Sequence, residues 1–149
     1  PKSDAFYREA LAEGFAKRTD GRDPAAFEVI CPVPVVIDDD IEKAADAIRP
    51  QMALYIGGMG AKNINFHAEV FVRMGYEREC NLIQEAFLSG RKEEAMTLIP
   101  RSMIEDVALV GPVAKVRDDL DRWRETAITT LVTGGSISSI RQIAELVLG

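Results

Sequence analysis

Two glycine-rich segments of the chain combine a permissive backbone with polar side chains, as sites for cofactors and phosphate groups do. The first segment interrupts a helical pattern with three glycines in four positions and continues with polar residues. Its residues of interest are Gly57, Gly58, Gly60, Lys62, Asn63 and Asn65. Glycine costs about 1 kcal/mol relative to alanine inside a helix, so this cluster predicts a sharp turn or a close backbone approach. We weigh polar contacts to a ligand against a plain helix break that leaves Lys62 in solvent.

The second segment lies between a short β-branched run and an apolar terminal helix. It consists of Gly134, Gly135 and Ser136, with Ser138, Ser139 and Arg141 in the helix that follows. Free backbone N–H groups at a helix start attract anions, and the serine hydroxyls and the arginine add donors and positive charge. These residues predict either a contact with a phosphate or cofactor tail, or an ordinary turn in which Ser136 caps the helix.

The other reactive side chains do not form a catalytic constellation. His67 is the chain's single histidine, so a metal site would lack common ligands, and we expect no metal and a surface or half-buried helical histidine. Asp38, Asp39 and Asp40 precede a helical pattern and predict a helix cap. Nucleophile-elbow, P-loop, dinucleotide-binding and zinc signatures are missing from the sequence. Catalytic residues are therefore unassigned, and any chemistry must come from a bound cofactor.

Composition indicates a globular chain without affinity for polyanions. Of 149 residues, 47% are hydrophobic and 28% are charged, and the formal net charge is -6. Nucleic acids and anionic membrane surfaces attract clustered positive charge, so neither is expected as a partner. Apolar runs fall short of the roughly 20 residues that cross a bilayer, and the polar first residues do not resemble a signal peptide. Cys31 and Cys80 lack C-x-x-C spacing and predict two buried free thiols in a reducing cytoplasm.

Hydrophobic periodicity predicts a mostly helical α/β chain with two parallel strands. Residues 28–37 form a nearly continuous apolar run typical of a buried strand, although Pro32 and Pro34 favour an edge or a bulge. Residues 128–133 are β-branched and predict the other strand, and the region between the strands is expected to be helical. Two parallel strands alone would expose long edges, so the sequence predicts part of a larger α/β structure.

Helical stripes indicate where the core should lie. A first helix is predicted over residues 4–19, and Pro50 predicts a kink or a restart in the helix that follows the aspartates. Val116, Leu120 and Trp123 form an apolar stripe, which predicts core packing and not a contact with a cofactor. The charged residues of that helix are expected on its solvated face.

Three blocks of residues resemble the luciferase-like monooxygenases, and within them the deazaflavin-dependent oxidoreductases that use coenzyme F-420. The first block is Gly-Arg-Asp-Pro-Ala-Ala-Phe-Glu-Val at 21–29. The second is Leu-Tyr-Ile-Gly-Gly-Met-Gly at 54–60, followed by Asn65 and Phe66. The third begins with Val-Gly-Pro at 110–112, continues with Val-Arg-Asp-Asp-Leu at 116–120 and ends with Ala-Ile-Thr-Thr-Leu at 127–131. Together they cover nearly the whole chain in the order typical of the family. Ala127 departs from the family, whose members often have glycine there.

The resemblance implies an α/β fold, the C-terminal part of a (β/α)8 TIM barrel, with residues 1–149 as a single C-terminal fragment. Residues 28–37 and 128–133 would be barrel strands seven and eight, and residues 38–111 a helical insertion between them. The cofactor would be coenzyme F-420, a deazaflavin, or FMN, and a hydride would move to or from a small organic substrate. Both glycine segments would contact the cofactor. The first six strands would carry most of the residues that face the isoalloxazine ring, so the fragment alone is expected to be inactive. The protein is expected to be cytoplasmic and homo-oligomeric.

The alternative is a non-enzymatic helical module that dimerises through strand edges and apolar helix faces. Pairing between two copies would complete a sheet that one copy leaves open. A longer open reading frame upstream of Pro1 would favour the oxidoreductase, and a native start just before Pro1 would favour the module.

Overall fold

Helices make up most of the chain in the computed structural model, which describes residues 1–60 and 64–148. In chain order they are α1 (Asp4–Ala16), α2 (Ile41–Asp46), α3 (Arg49–Gly57), α4 (Phe66–Arg73), α5 (Glu77–Leu88), α6 (Lys92–Thr97), α7 (Arg101–Glu105), α8 (Val113–Arg124) and α9 (Ile137–Leu148). The strands are β1 (Ile30–Pro32), β2 (Val35–Ile37), β3 (Leu109–Gly111) and β4 (Thr130–Val132). A short 3-10 helix, Pro24–Ala26, precedes β1. In the described part of the chain no helix is long and apolar enough to cross a membrane.

The predicted strand at residues 28–37 is two short strands, and each pairs in parallel with a different partner. β1 pairs with β4, with Ile30 opposite Thr130, and β2 pairs with β3, with Val35 opposite Leu109. The parallel pairing of the predicted first and last strands is therefore confirmed. The prediction of two strands with only helices between them is wrong, because residues 109–111 form β3. Pairing with β2 holds this segment extended, although the residues before it have a helical pattern.

The two prolines mark the point where the extended segment changes partner. The N–H of Val33 donates to the carbonyl of Val132 in β4 at 2.9 Å, whereas the carbonyl of Pro34 accepts from the N–H of Leu109 at 2.9 Å. Successive residues of a strand direct their peptide groups to opposite edges, so Pro32 and Pro34 both turn away from β4. Pairing with β4 therefore does not need the N–H group that each proline lacks.

Two hydrophobic cores lie on opposite faces of the β2–β3 pair. The helical core consists of Ala44, Ala45, Ile48, Met52, Ala53, Ile56, Phe71, Met74, Cys80, Ile83, Ala86, Ala95, Ile99, Met103, Ile104, Ala108 and Val110. The strand core consists of Val33, Leu109, Val116, Leu120 and Trp123. Leu109 and Val110 are neighbours in β3 but enter different cores, because side chains alternate along a strand. The predicted packing of Trp123 is confirmed, since its side chain is buried in the strand core.

Local signals correctly predicted how α2 and α3 begin. The Asp40 carboxylate accepts hydrogen bonds from the backbone N–H groups of Glu42 at 3.0 Å and Lys43 at 3.2 Å, which confirms the predicted cap of α2. Pro50 is the second residue of α3 and marks a restart. Its missing N–H causes no loss there, because the first N–H groups of a helix have no intrahelical partner.

The two terminal helices contribute little to either core. No residue of α1 or α9 is buried, and α1 ends at Ala16, earlier than predicted. The apolar face of α9 includes Ile137 and Leu148, whose side chains are 79% and 84% exposed. Both helices therefore present apolar surface on the outside of this part of the chain.

Both cysteines are free, and their environments differ. Cys80 is buried, as predicted, and its Sγ lies 3.8 Å from the carbonyl oxygen of Ala68. The prediction of a buried Cys31 is wrong, because this side chain is only half-buried at the edge of the strand core. Burial raises the pKa of the Cys31 thiol, and it raises the pKa of Cys80 to about 11.

We expect the two thiols to react with an aromatic disulfide reagent at different rates. At pH 8 a thiol of pKa 11 is about 0.1% thiolate, and the thiolate is the reacting species. The native protein should therefore be labelled at Cys31 well before Cys80, and both thiols should react together in urea. A Cys31→Ser variant isolates Cys80 and should be almost inert when folded. Equal native rates at the two sites would contradict the burial of Cys80.

Candidate functional site

The loop after β4 leads directly into α9 and opens on to free space. Gly135 has φ +147, a conformation that favours glycine, and a Cβ at this position would lie 3.3 Å from the Cβ of Ser139. A Cβ at Gly134 would meet no atom of the described residues within 4 Å. The preceding Thr133 keeps a buried hydroxyl without a hydrogen-bond partner among the described residues. The loop thus has room for a ligand, and the unsatisfied hydroxyl of Thr133 lies beside it.

The start of α9 brings three hydroxyl groups together. The Oγ of Ser136 accepts a hydrogen bond from the N–H of Ser139 at 3.1 Å, so Ser136 caps the helix as one of the sequence alternatives predicted. The same oxygen lies 2.8 Å from the Oγ of Ser138 and 2.9 Å from the Oγ of Ser139. Arg141 lies in the first turns of the same helix and is exposed. Helix starts also carry N–H groups without intrahelical partners, so this arrangement suits an anionic group.

The first glycine segment packs closely against α5. A Cβ at Gly57 would lie 2.4 Å from the Cβ of Phe87, and a Cβ at Gly58 would lie 2.6 Å from the Cε1 of the same ring. The close backbone approach that the sequence predicted is therefore present, and Phe87 is the neighbour. Gly57 is buried, whereas Gly58 and Gly60 are exposed. Lys62 and Asn63 lie outside the described residues.

Asn65 has no polar atom left for a ligand. The side chain is 5% exposed, and its amide nitrogen and oxygen are bonded to the backbones of α3 and α4. A polar contact to a ligand was one of the roles that the sequence predicts for Asn65. In the structure its side chain makes contacts within the chain instead. Sequence spacing alone does not reveal this role, because its partners in α3 precede the glycines.

A cluster of three aromatic side chains, which the sequence does not predict, lies beside the glycine segment. The ring of His67 is 4.6 Å from the ring of Tyr55 and 4.1 Å from the ring of Phe66, between centroids. His67 is half-buried in the first turn of α4, as predicted, and Phe66 is 66% exposed. The sequence gives no signal for this cluster, because it forms only where the end of α3 packs against the start of α4.

The two glycine segments have different neighbours in the structure. Gly57 and Gly58 contact the helical core through Phe87, whereas Gly135 contacts Ser139 in α9. Among residues 1–60 and 64–148, no three histidine, cysteine or acidic side chains group closely enough to hold a metal ion. The donors at the loop after β4 are backbone N–H groups, hydroxyls and one guanidinium, which suit the anionic part of an organic cofactor.

Comparison with known proteins gives the family. Residues 2–130 match the profile of the family described as luciferase-like monooxygenase. Over 148 residues, 99% of this chain, the sequence is 40% identical to a protein of Mycobacterium tuberculosis (strain ATCC 25618 / H37Rv) named as a coenzyme F-420-dependent oxidoreductase. The match spans 43% of that relative, so the chain covers less than half of the relative's length. Because the profile matches most of the chain, this protein belongs to the luciferase-like monooxygenase family.

Proposed function

We propose that the chain is part of a coenzyme F-420- or FMN-dependent oxidoreductase that moves a hydride to or from a small organic substrate. The observation that carries the proposal is 40% identity to a relative named for coenzyme F-420, over 99% of the chain. The chain spans 43% of that relative, so the complete activity would belong to a longer protein. The free thiols of Cys31 and Cys80 suit a reducing compartment, and we place the protein in the cytoplasm.

The proposed architecture is the C-terminal part of a TIM barrel. Adjacent strands of such a barrel are parallel, and the parallel pair of β1 and β4 supports their assignment as part of strand seven and strand eight. β2 would extend strand seven, and residues 38–111 would be the insertion that follows it. β3 would then close the insertion by returning to strand seven.

The proposed cofactor contacts follow from this architecture, because barrel enzymes bind their ligands at the carboxyl ends of the strands. Gly134, Gly135 and Ser136 follow β4 at that end, and Arg141 adds a positive charge. These residues would hold an anionic part of the cofactor through N–H and hydroxyl donors. The bound ring system would supply the hydride chemistry.

The glycine segment at the end of α3 would form the second group of contacts. Gly58 and Gly60 are exposed and would approach the ligand with their backbones, and Lys62 and Asn63 would add polar contacts. Gly57 would contribute by allowing α3 to lie against Phe87. Catalytic residues are not assigned to this chain, which would bind and orient the cofactor and exclude water from it.

The proposal is tested by titrating the chain with coenzyme F-420 and, separately, with FMN, while the fluorescence of each cofactor is followed. We expect saturable binding of one of them, without turnover by the 149 residues alone. If the folded protein binds neither cofactor, the proposed function is wrong for this chain.

The loop after β4 should be sensitive to a methyl group at Gly135. We expect Gly135→Ala to weaken cofactor binding about tenfold, because φ +147 is strained for alanine and the new Cβ would press on Ser139. Gly14→Ala is the control, since Gly14 lies in α1, outside the proposed site, and its Cβ would meet no described atom within 4 Å. Equal dissociation constants for the two variants would contradict the placement of the site at this loop.

A second candidate function is the non-enzymatic dimerisation module, and the exposed face of α9 favours it. Ile137, Ile140, Val147 and Leu148 are all at least 45% exposed on this helix. Contiguous exposed apolar surface is typical of interaction sites, and a homo-oligomer would cover it. Sedimentation at several protein concentrations tests association, and the cofactor titration separates the two functions. Association without cofactor binding would favour the module.

A further inference from the structure

The side chain of Asn65 forms hydrogen bonds to the helices on both sides of the glycine segment, α3 before it and α4 after it. Its Nδ2 donates hydrogen bonds to the carbonyl oxygens of Tyr55 at 3.1 Å and Ile56 at 2.8 Å, near the end of α3. Its Oδ1 accepts hydrogen bonds from the N–H groups of His67 and Ala68, both at 3.1 Å, in the first turn of α4. An amide side chain offers two donor hydrogens and two acceptor lone pairs, so the hydrogen-bonding capacity of Asn65 is fully used.

These contacts exceed what a helix cap requires. A cap needs only an oxygen that accepts from the first N–H groups of its own helix, as Asp40 does for Glu42 and Lys43 at the start of α2. Asn65 provides this oxygen to α4. Its amide nitrogen in addition links α4 to the last turn of α3, and these two hydrogen bonds to α3 are called the tie below. Asn65 makes these bonds at 5% exposure, where each unmade hydrogen bond is costly.

The tie also fixes the backbone of Gly60. A Cβ at Gly60 would lie 3.0 Å from the Cα of Asn65 and 2.7 Å from the carbonyl oxygen of Ile64, so the Gly60 backbone rests directly on these residues. Gly60 has φ +151, which restricts the position to glycine. The exposed Gly60 backbone and the exposed ring of Phe66 therefore keep their relative positions through Asn65.

We propose that Asn65 is a positioning residue for the cofactor site: it does not touch the ligand but fixes the exposed Gly60 backbone and the Phe66 ring relative to α3. This inference rests on the proposed function, in which the glycine segment contacts the cofactor. A site that is held in its binding geometry before the ligand arrives loses less conformational entropy on binding. Without the tie, α3 and α4 retain their packing on the helical core, and the Gly60 backbone and the Phe66 ring gain alternative arrangements.

The test is a variant that removes the tie and keeps the cap. In Asn65→Ser the hydroxyl can still cap α4, but it is too short to reach the carbonyls of Tyr55 and Ile56. We expect its dissociation constant for coenzyme F-420, or for FMN if FMN is the cofactor that binds, to rise about tenfold or more at a temperature where the variant is folded. Asp40→Ala controls for a loss of stability outside the site: it removes the cap of α2, so it should lower Tm and leave the dissociation constant unchanged.

The outcomes separate a positioning role from a structural one. If Asn65→Ser changes affinity no more than Asp40→Ala does, the positioning role is overturned, even where Tm falls. If Gly135→Ala weakens binding and Asn65→Ser does not, the proposed function stands and only this inference fails. If the folded wild-type chain binds neither cofactor, both fail. Asn65→Thr, which also keeps a capping hydroxyl, serves in place of Asn65→Ser if that variant does not fold, with the same expected result.

Discussion

Replacing Gly57 with alanine should destabilise the protein by about 2–3 kcal/mol, because overpacking of this size has that cost in well-packed interiors. The new Cβ would lie 2.4 Å from the Cβ and 2.6 Å from the Cγ of Phe87. These atoms are the stem of the side chain, so rotation of the ring cannot relieve the contact. α3 must instead move away from α5, which also disturbs Ile56 and Ile83 in the helical core. Urea unfolding followed by far-UV circular dichroism measures the effect.

A matched control and a double-mutant cycle show whether Phe87 is the cause. Gly14→Ala, in α1, adds a Cβ with no described atom within 4 Å and should stabilise the protein by up to about 1 kcal/mol through helix propensity. Phe87→Gly removes both the Cβ and the Cγ that obstruct the new methyl group, so the cost of Gly57→Ala should be smaller in the Phe87→Gly background. Full additivity of the two substitutions would contradict the proposed clash.

Features with a local cause were predictable from the sequence. The cap at Asp40 and the helix restart at Pro50 depend on residues within one helical turn, and both are confirmed. The stripe that contains Trp123 depends only on the period of one helix, and its burial is confirmed. The glycine cluster also correctly indicated a close backbone approach, because glycines lack side chains and this is visible in the sequence itself.

Features that depend on a distant partner were not predictable. Leu109, Val110 and Gly111 follow a helical pattern, and they are extended because β2 provides the pairing. The sequence signalled that Pro32 and Pro34 disturb a strand, but not that the strand changes partner there. The same limit applies to Asn65, whose fold-back on to Tyr55 and Ile56 exists only once α3 and α4 are packed together.

Replacing Ile104 with alanine should destabilise both cores together. Ile104 is fully buried in the helical core, and loss of an isoleucine side chain at such a site costs about 2–5 kcal/mol. Trp123 lies in the strand core and reports its unfolding through fluorescence, while far-UV circular dichroism reports mainly the helices. We expect both signals to shift to lower urea concentration by the same amount. Leu148→Ala, at an exposed position, should change stability by less than about 0.5 kcal/mol.

The coupled shift follows from the position of β3 between the two cores. Val110 packs in the helical core and its neighbour Leu109 packs in the strand core. Loss of the helical core removes the packing that holds Val110, so β3 separates from β2 and Leu109 becomes exposed to water as well. A Trp123 transition that keeps its wild-type midpoint, while the helical signal moves, would show that the cores unfold independently. In that case the β2–β3 pair would not couple the helical core to the strands that carry the proposed site.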